Sequence, residues 1–179
     1  MLEARPLGRI RFQLLGTPGL FAGQSSTAVR VSSQKGLALL AYLAMNAGRP
    51  VPRAVLADLL WGDRVEAQAR QNLRQAILTL RRDLGAAGSA GLLVDDQSLS
   101  LAVEPDDVDV LQFAAWAASP DPAQRRRCLD IPWAPLLEKF SIDVEPFDEW
   151  AVAERHRLDA IATRVFSDLA KQLDAAGDN

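Results

Sequence analysis

The sequence predicts an α+β fold: a small N-terminal antiparallel sheet, three helices and a β-hairpin, followed by an all-α segment. Two kinds of periodicity and a charge asymmetry carry this expectation. Apolar and polar residues alternate near the N-terminus and again around residue 100, whereas between these stretches apolar residues recur every three or four positions, as one side of a helix requires. Residues 1–104 carry twelve Lys/Arg against eight Asp/Glu, a net +4, and residues 105–179 carry eight against fifteen, a net −7. A basic part joined to an acidic part places any polyanionic partner on the first.

In chain order, RIRFQLLG from Arg9 alternates as a strand, Pro18-Gly19 marks a turn, and Ala28 to Val31 alternates again. Ser32 or Ser33 caps a first helix with Leu37, Leu40, Leu43 and Ala44 on one side, ended by Gly48. Pro52 suits the first turn of a second helix, whose apolar side is Val55, Leu56, Leu59 and Leu60 and which Gly62 stops. Trp61 extends that cluster and is expected to be buried. A third helix runs from about Glu66 to Leu84 and ends at Gly85. Leu92–Val94 and Leu99–Val103 then flank Asp95-Asp96-Gln97-Ser98 as a hairpin. Pro105-Asp106-Asp107 closes this unit, giving a division into residues 1–105 and 106–179. Helices are expected over about 107–118, about 121–130 and from Pro146 to about Ala176, with Pro120, Pro122, Pro132 and Pro135 breaking the region between.

The composition, 49% hydrophobic and 24% charged, is that of a globular chain. No apolar run reaches the roughly 18 residues a membrane span needs, and MLEARPLGRIRF lacks the apolar centre of a secretory leader. The single cysteine, Cys128, makes no internal disulfide, so a reducing cytoplasm is the expected location. Arg125, Arg126 and Arg127 beside it either lower its pKa or leave it an ordinary packing residue. His156, the only histidine, lies on a charged helix without catalytic partners, and the chain has no Gly-rich phosphate loop and no metal-ligand cluster. Asp106-Asp107-Asp109 reads as a capping or solvated segment before it reads as a cation site. No enzymatic activity, metal or cofactor is expected.

The third helix, EAQARQNLRQAILTLRRDLG, carries the functional signal. At about 100° per residue, Leu73, Ala76, Ile77, Leu80 and Leu84 form a core stripe. Gln71, Gln75, Leu78 and Arg82 lie opposite, Arg74 on one shoulder with Arg70 and Arg81 nearer the core edge, and Asn72 and Thr79 on the other shoulder. The major groove, about 12 Å wide, admits one helix; Arg pairs with guanine, Gln or Asn with adenine, and a leucine can meet thymine methyls. Gln71, Arg74, Gln75 and Leu78 are therefore candidate base contacts. Arg70, Asn72, Thr79, Arg81, Arg82 and Lys35 are candidate phosphate contacts. The alternative is a solvated Arg/Gln face on a good helix former. Two helices, a longer basic third helix and a hairpin, in that order, favour a winged helix-turn-helix.

SSQKGLALLAYLAMNAGRPVPRAVLADLLWGD (32–63), ARQNLRQAILTLRRDLG (69–85) and VDVLQFAAWA (108–117) together resemble the SARP-type regulators, which join an OmpR-type winged helix to a helical, TPR-like bacterial transcriptional activation domain. The resemblance extends loosely to FDEWAVAERHRL (147–158). It implies binding to duplex DNA at direct repeats upstream of promoters, a head-to-tail homodimer there, and recruitment of RNA polymerase. It makes the third helix the recognition helix and residues 92–103 the wing. The wing here departs from the family in its acidic Asp95-Asp96 tip, with no Lys or Arg between Leu92 and Val103, so it is expected to add little to binding or to repel phosphate. The helical part also looks short, as in a fragment of a longer regulator or a chain lacking the later helices. Its last helix carries Leu158, Ile161, Ala162, Val165, Leu169 and Leu173 as a stripe, either core or a face for a second copy, with Phe147 and Trp150 at its start. The rival to DNA binding is a protein-interaction module, in which a degenerate winged helix uses the same face to hold a protein partner. The acidic wing and acidic second half favour that rival, and the four arginines of the third helix oppose it.

Overall fold

The computed structural model describes residues 10–23 and 27–177. Arg9, the expected first residue of the first strand, and the residues before it lie outside the described residues. β1 (Ile10–Gln13) and β2 (Gly19–Ala22) pair antiparallel, Ile10 opposite Ala22 and Gln13 opposite Gly19. The expected strand over 28–31 is reduced to one bridge between Phe21 and Ala28, with the Val29 N–H donated to Leu20 O at 2.8 Å. Beyond it the chain turns toward the end of the third helix, where Ser32 donates its N–H and hydroxyl to Asp83.

α1 (Gln34–Met45) is capped by Ser33, whose hydroxyl accepts the Gly36 N–H. It is the central helix: Ala38, Leu39, Leu40, Ala41, Leu43 and Ala44 are all fully buried. Next comes a strand that the sequence reading missed, β3 (Val51–Pro52), paired with the later hairpin. Two residues are too few to display an alternation, and a proline is tolerated there because the strand lies at a sheet edge. Pro52 stands at the N-cap of α2 (Arg53–Trp61) rather than inside its first turn. Leu56, Ala57, Leu59, Leu60 and Trp61 are buried, as expected for Trp61, but Val55 is 45% exposed. One step outside the arc of Leu56, Leu59 and Leu60, Val55 turns to solvent and Ala57 takes the inner position. α3 (Glu66–Ser89) breaks at Gly85, with φ +66° and ψ −178°, so its regular part ends at Leu84. That left-handed φ is one glycine adopts without a steric cost. β4 (Leu92–Val94) and β5 (Ser98–Leu101) form the hairpin, and the sheet order is β3-β5-β4. β5 stops at Leu101, two residues before the expected Val103.

The second part holds α4 (Asp109–Ala118), α5 (Pro122–Arg126), 3-10 turns at Pro105–Asp107 and Arg127–Asp130, and α6 (Glu145–Gly177). Between the second 3-10 turn and α6 the chain forms a non-helical strap that closes the first sheet. Leu136 bridges Leu15, Leu137 N–H donates to Leu14 O and Glu138 N–H to Gly16 O, both at 2.8 Å. Arg155 of α6 fixes the strap by donating to Leu136 O and Leu137 O at 2.7 and 2.9 Å. The core runs across residue 105: Val108, Val110, Leu136, Phe147 and Leu158 belong to the same cluster as Leu40 and Leu60. Asp109 adds a polar tie, accepting the N–H groups of Leu14, Leu15 and Val110 at 2.7–3.0 Å. Burial raises its pKa despite these donors. A second cluster unites Phe113, Cys128, Ala162, Val165 and Leu169. Burial also raises the Cys128 pKa, opposite to the effect considered for its arginine neighbours. The α6 stripe is core from Leu158 to Leu169, while Leu173 is 44% exposed.

Candidate nucleic-acid interface

α3 is amphipathic in the sense the periodicity requires. Leu73, Ile77, Leu80 and Leu84 are buried and Ala76 is partly buried. Its close seat on α1 depends on Gly36, where an added Cβ would stand 3.2 Å from Leu80 Cδ2. Gln71, Arg74, Gln75, Leu78 and Arg82 are exposed on the other side, together with Arg70 and Arg81; Asn72 and Thr79 are half-buried at the shoulder. Leu78 is 57% exposed, an apolar side chain held outward among polar ones. Arg70 pairs with Glu66 one turn earlier, both side chains more than half exposed, and the Arg74 Nε donates to Arg70 O at 3.4 Å. Such an exposed pair contributes only about 0.3–0.5 kcal/mol and gives way readily to a competing anion.

Lys35 is placed differently from the others. Its ammonium donates to Leu60 O at 2.8 Å and lies 5.3 Å from the Trp61 ring centre. It satisfies a carbonyl at the end of α2, where a cation is favoured, and burial lowers its pKa. One of its three donors therefore serves the α1–α2 junction.

The hairpin turn lies alongside α3. Asp95 closes the turn: its Oδ1 accepts the N–H groups of Gln97 and Ser98 at 2.7 and 2.6 Å, and its Oδ2 accepts the Ser98 hydroxyl at 2.7 Å. The Ser98 hydroxyl and these two N–H groups lower its pKa. Asp95 is thus a turn-forming residue, and the two acids of the tip are not equivalent, because Asp96 has no such role. The turn is anchored to the start of α2. Arg53 N–H donates to Gln97 O, and Arg53 Nη1 to Asp95 O, both at 2.8 Å. A cleft of about 400 Å³ separates wing from helix, lined by Arg53, Arg70, Arg74, Asp96 and Gln97. Arg81 lines a second depression against Leu93, Val94 and Asp95. Arg53 was overlooked in the sequence because it follows Pro52 at a helix start. A basic residue at such a start, where the helix dipole disfavours it, is the signal that marks it.

Among the described residues no group of three His, Cys, Asp or Glu is disposed to hold a metal ion, and Asp106, Asp107 and Asp109 are not gathered into one. His156 is exposed on α6. Among the described residues no helix is long and apolar enough to cross a membrane.

Residues 28–96, from the approach to α1 through the wing turn, match the family model described as transcriptional regulatory protein, C terminal. The solved structure of Mycobacterium tuberculosis EmbR in complex with a low affinity phosphopeptide is similar over 87% of this chain, with a TM-score of 0.67 and 25% sequence identity. The likeness therefore reaches beyond the winged helix into the helical part. Both likenesses support a SARP-type transcriptional regulator. The chain spans 44% of the length of the EmbR chain it matches. No curated protein matches it by sequence. The family is one of transcription regulators rather than an enzyme class.

Proposed function

We propose that the chain binds duplex DNA sequence-specifically through the outward face of α3 and acts at promoters as a transcriptional activator. The observation that carries this is the exposure of Gln71, Gln75, Leu78 and Arg82 on the side of α3 opposite its buried stripe. No side chain of Gln71, Gln75 or Arg82 is engaged by a hydrogen bond or ion pair within the described residues. Gln71, Gln75 and Leu78, with Arg74 at their edge, are the proposed base contacts; Arg70, Asn72, Thr79, Arg81 and Arg82 are the proposed phosphate contacts. Lys35, one of whose donors is held by Leu60 O, remains a proposed phosphate contact through the others. Binding of two copies to direct repeats in the cytoplasm, and contact with RNA polymerase, complete the reading by family resemblance.

A gel shift with the DNA upstream of the chain's own coding sequence, against a random duplex at the same salt, tests it. A preferred complex that survives competitor DNA is expected, and equal retention of both duplexes would remove sequence specificity from the proposal. A second reading, a protein-interaction module, draws support from Asp96 at the wing and from Leu78, exposed on α3. It predicts no duplex binding even at low salt.

A further inference from the structure

We propose that the cleft between α3 and the wing turn is a seat for one backbone phosphodiester, with Arg53 as a contact of equal standing to Arg70 and Arg74. This rests on the DNA-binding reading above and extends it to a contact, Arg53, outside the recognition helix. The three arginines come from two elements, the start of α2 and the first half of α3, and line a single cleft of about 400 Å³ closed on its far side by Asp96 and Gln97. Three guanidinium groups against the carboxylates of Asp96 and Glu66, the latter paired with Arg70, leave a net +1. That matches a phosphodiester monoanion. Planar guanidinium groups also bind phosphate oxygens in paired fashion, which a lysine does not.

The position of Arg53 is fixed by its own backbone. Its N–H is bonded to Gln97 O and one Nη1 hydrogen bond goes to Asp95 O, so the side chain is tethered where it lines the cleft. Those same bonds tie the wing turn to the start of α2. The assignment moves Arg74 from base reading to backbone binding, since its side chain lines the wing cleft. It also changes the meaning of the acidic wing. Asp96 does not oppose a lone phosphate; it occupies a site with three cations, partly neutralises it, and competes with the phosphate for them.

The test is fluorescence anisotropy on the preferred duplex and on random duplex across a salt series, with the full chain and the variants R53Q, R53K, R74A and D96N. R53Q is expected to weaken both duplexes alike and to lower the salt slope by about one counterion. R53K, which keeps the charge, is expected to retain most of the slope; R74A should lose affinity on both duplexes equally; D96N should bind both more tightly at low salt. An unchanged slope in R53Q, with wild-type binding intact, overturns the cleft and leaves the DNA-binding reading standing. Equal loss of slope in R53Q and R53K also overturns it, because Arg53 would then act only by holding the wing. Wild-type protein that binds no duplex at any salt overturns the DNA-binding reading and the cleft with it.

Discussion

The indole of Trp150, on α6, lies 4.9 Å from the ring of Tyr42, on α1, with the two planes inclined by 59°. Phe147, fully buried, stands 5.3 Å from the same indole. Aromatic packing thus joins the helical part to the central helix of the winged helix.

The expected consequence is one cooperative unfolding transition for the whole molecule. Trp150→Ala should cost about 2–4 kcal/mol, toward the lower end of aromatic truncations because the side chain is only partly buried. Calorimetry and far-UV circular dichroism should give coincident transitions in the wild type. Two well-separated transitions would show that the two parts unfold independently.

Asp83 gives a pH-dependent link at the other end of α3. Its carboxylate accepts the Ser32 N–H at 2.8 Å and the Ser32 hydroxyl at 2.7 Å, and these bonds lower its pKa below the usual carboxylate value. A depressed folded-state pKa contributes stability above the unfolded value, which is lost as pH falls through the folded one. Stability at neutral pH therefore includes this contribution and acid removes it. Asp83→Ala should cost about 1 kcal/mol or less, given the exposure of the pair. The difference between variant and wild type should vanish in urea titrations at low pH.

Base and backbone contacts on α3 separate by their dependence on sequence. Gln75→Ala should lose about 1–3 kcal/mol on the preferred duplex and little on random duplex. Arg82→Ala should weaken both and reduce the salt slope by about one counterion. Equal losses on both duplexes in the two variants would erase the distinction between a reading face and a positioning shoulder.

The two wing acids should respond differently to substitution. Asp95→Ala removes the acceptors for Gln97 N–H, Ser98 N–H and the Ser98 hydroxyl, and hydrogen exchange at those two amides should accelerate. Asp95→Asn keeps one oxygen acceptor, and a tight turn accepts it. Asp96→Asn should leave exchange in the turn unchanged. Since the Asp95 pKa is depressed, the protection at Gln97 and Ser98 should persist at neutral pH and fade only as the carboxylate protonates in acid.

Cys128 is fully buried, with Sγ 3.9 Å from Phe113 O, and burial raises its thiol's pKa. Iodoacetamide should label it in the native protein far more slowly than a free thiol, and at the ordinary rate in denaturant. Rapid native labelling would place the second core cluster in frequent local opening.

The sequence by itself determined the face of α3. Leu73, Ile77, Leu80 and Leu84 recur at helical spacing, Gly85 permits the left-handed break, and the polar side follows from the apolar one because helix periodicity is a local property. The burial of Trp61 and the length of α6 were legible on the same grounds. Only the tertiary structure decided which charges on that surface are available. Lys35 is held by Leu60, 25 residues away; Arg53 by Asp95, 42 away; and Ser32 by Asp83, 51 away. The strap from Pro135 to Glu138 closes the first sheet across more than a hundred residues, with no alternation to announce it. Pairings of that kind depend on where packing brings two distant segments together. One-dimensional periodicity identifies the side of an element that is buried, but the partner of each polar group is fixed only when the elements dock.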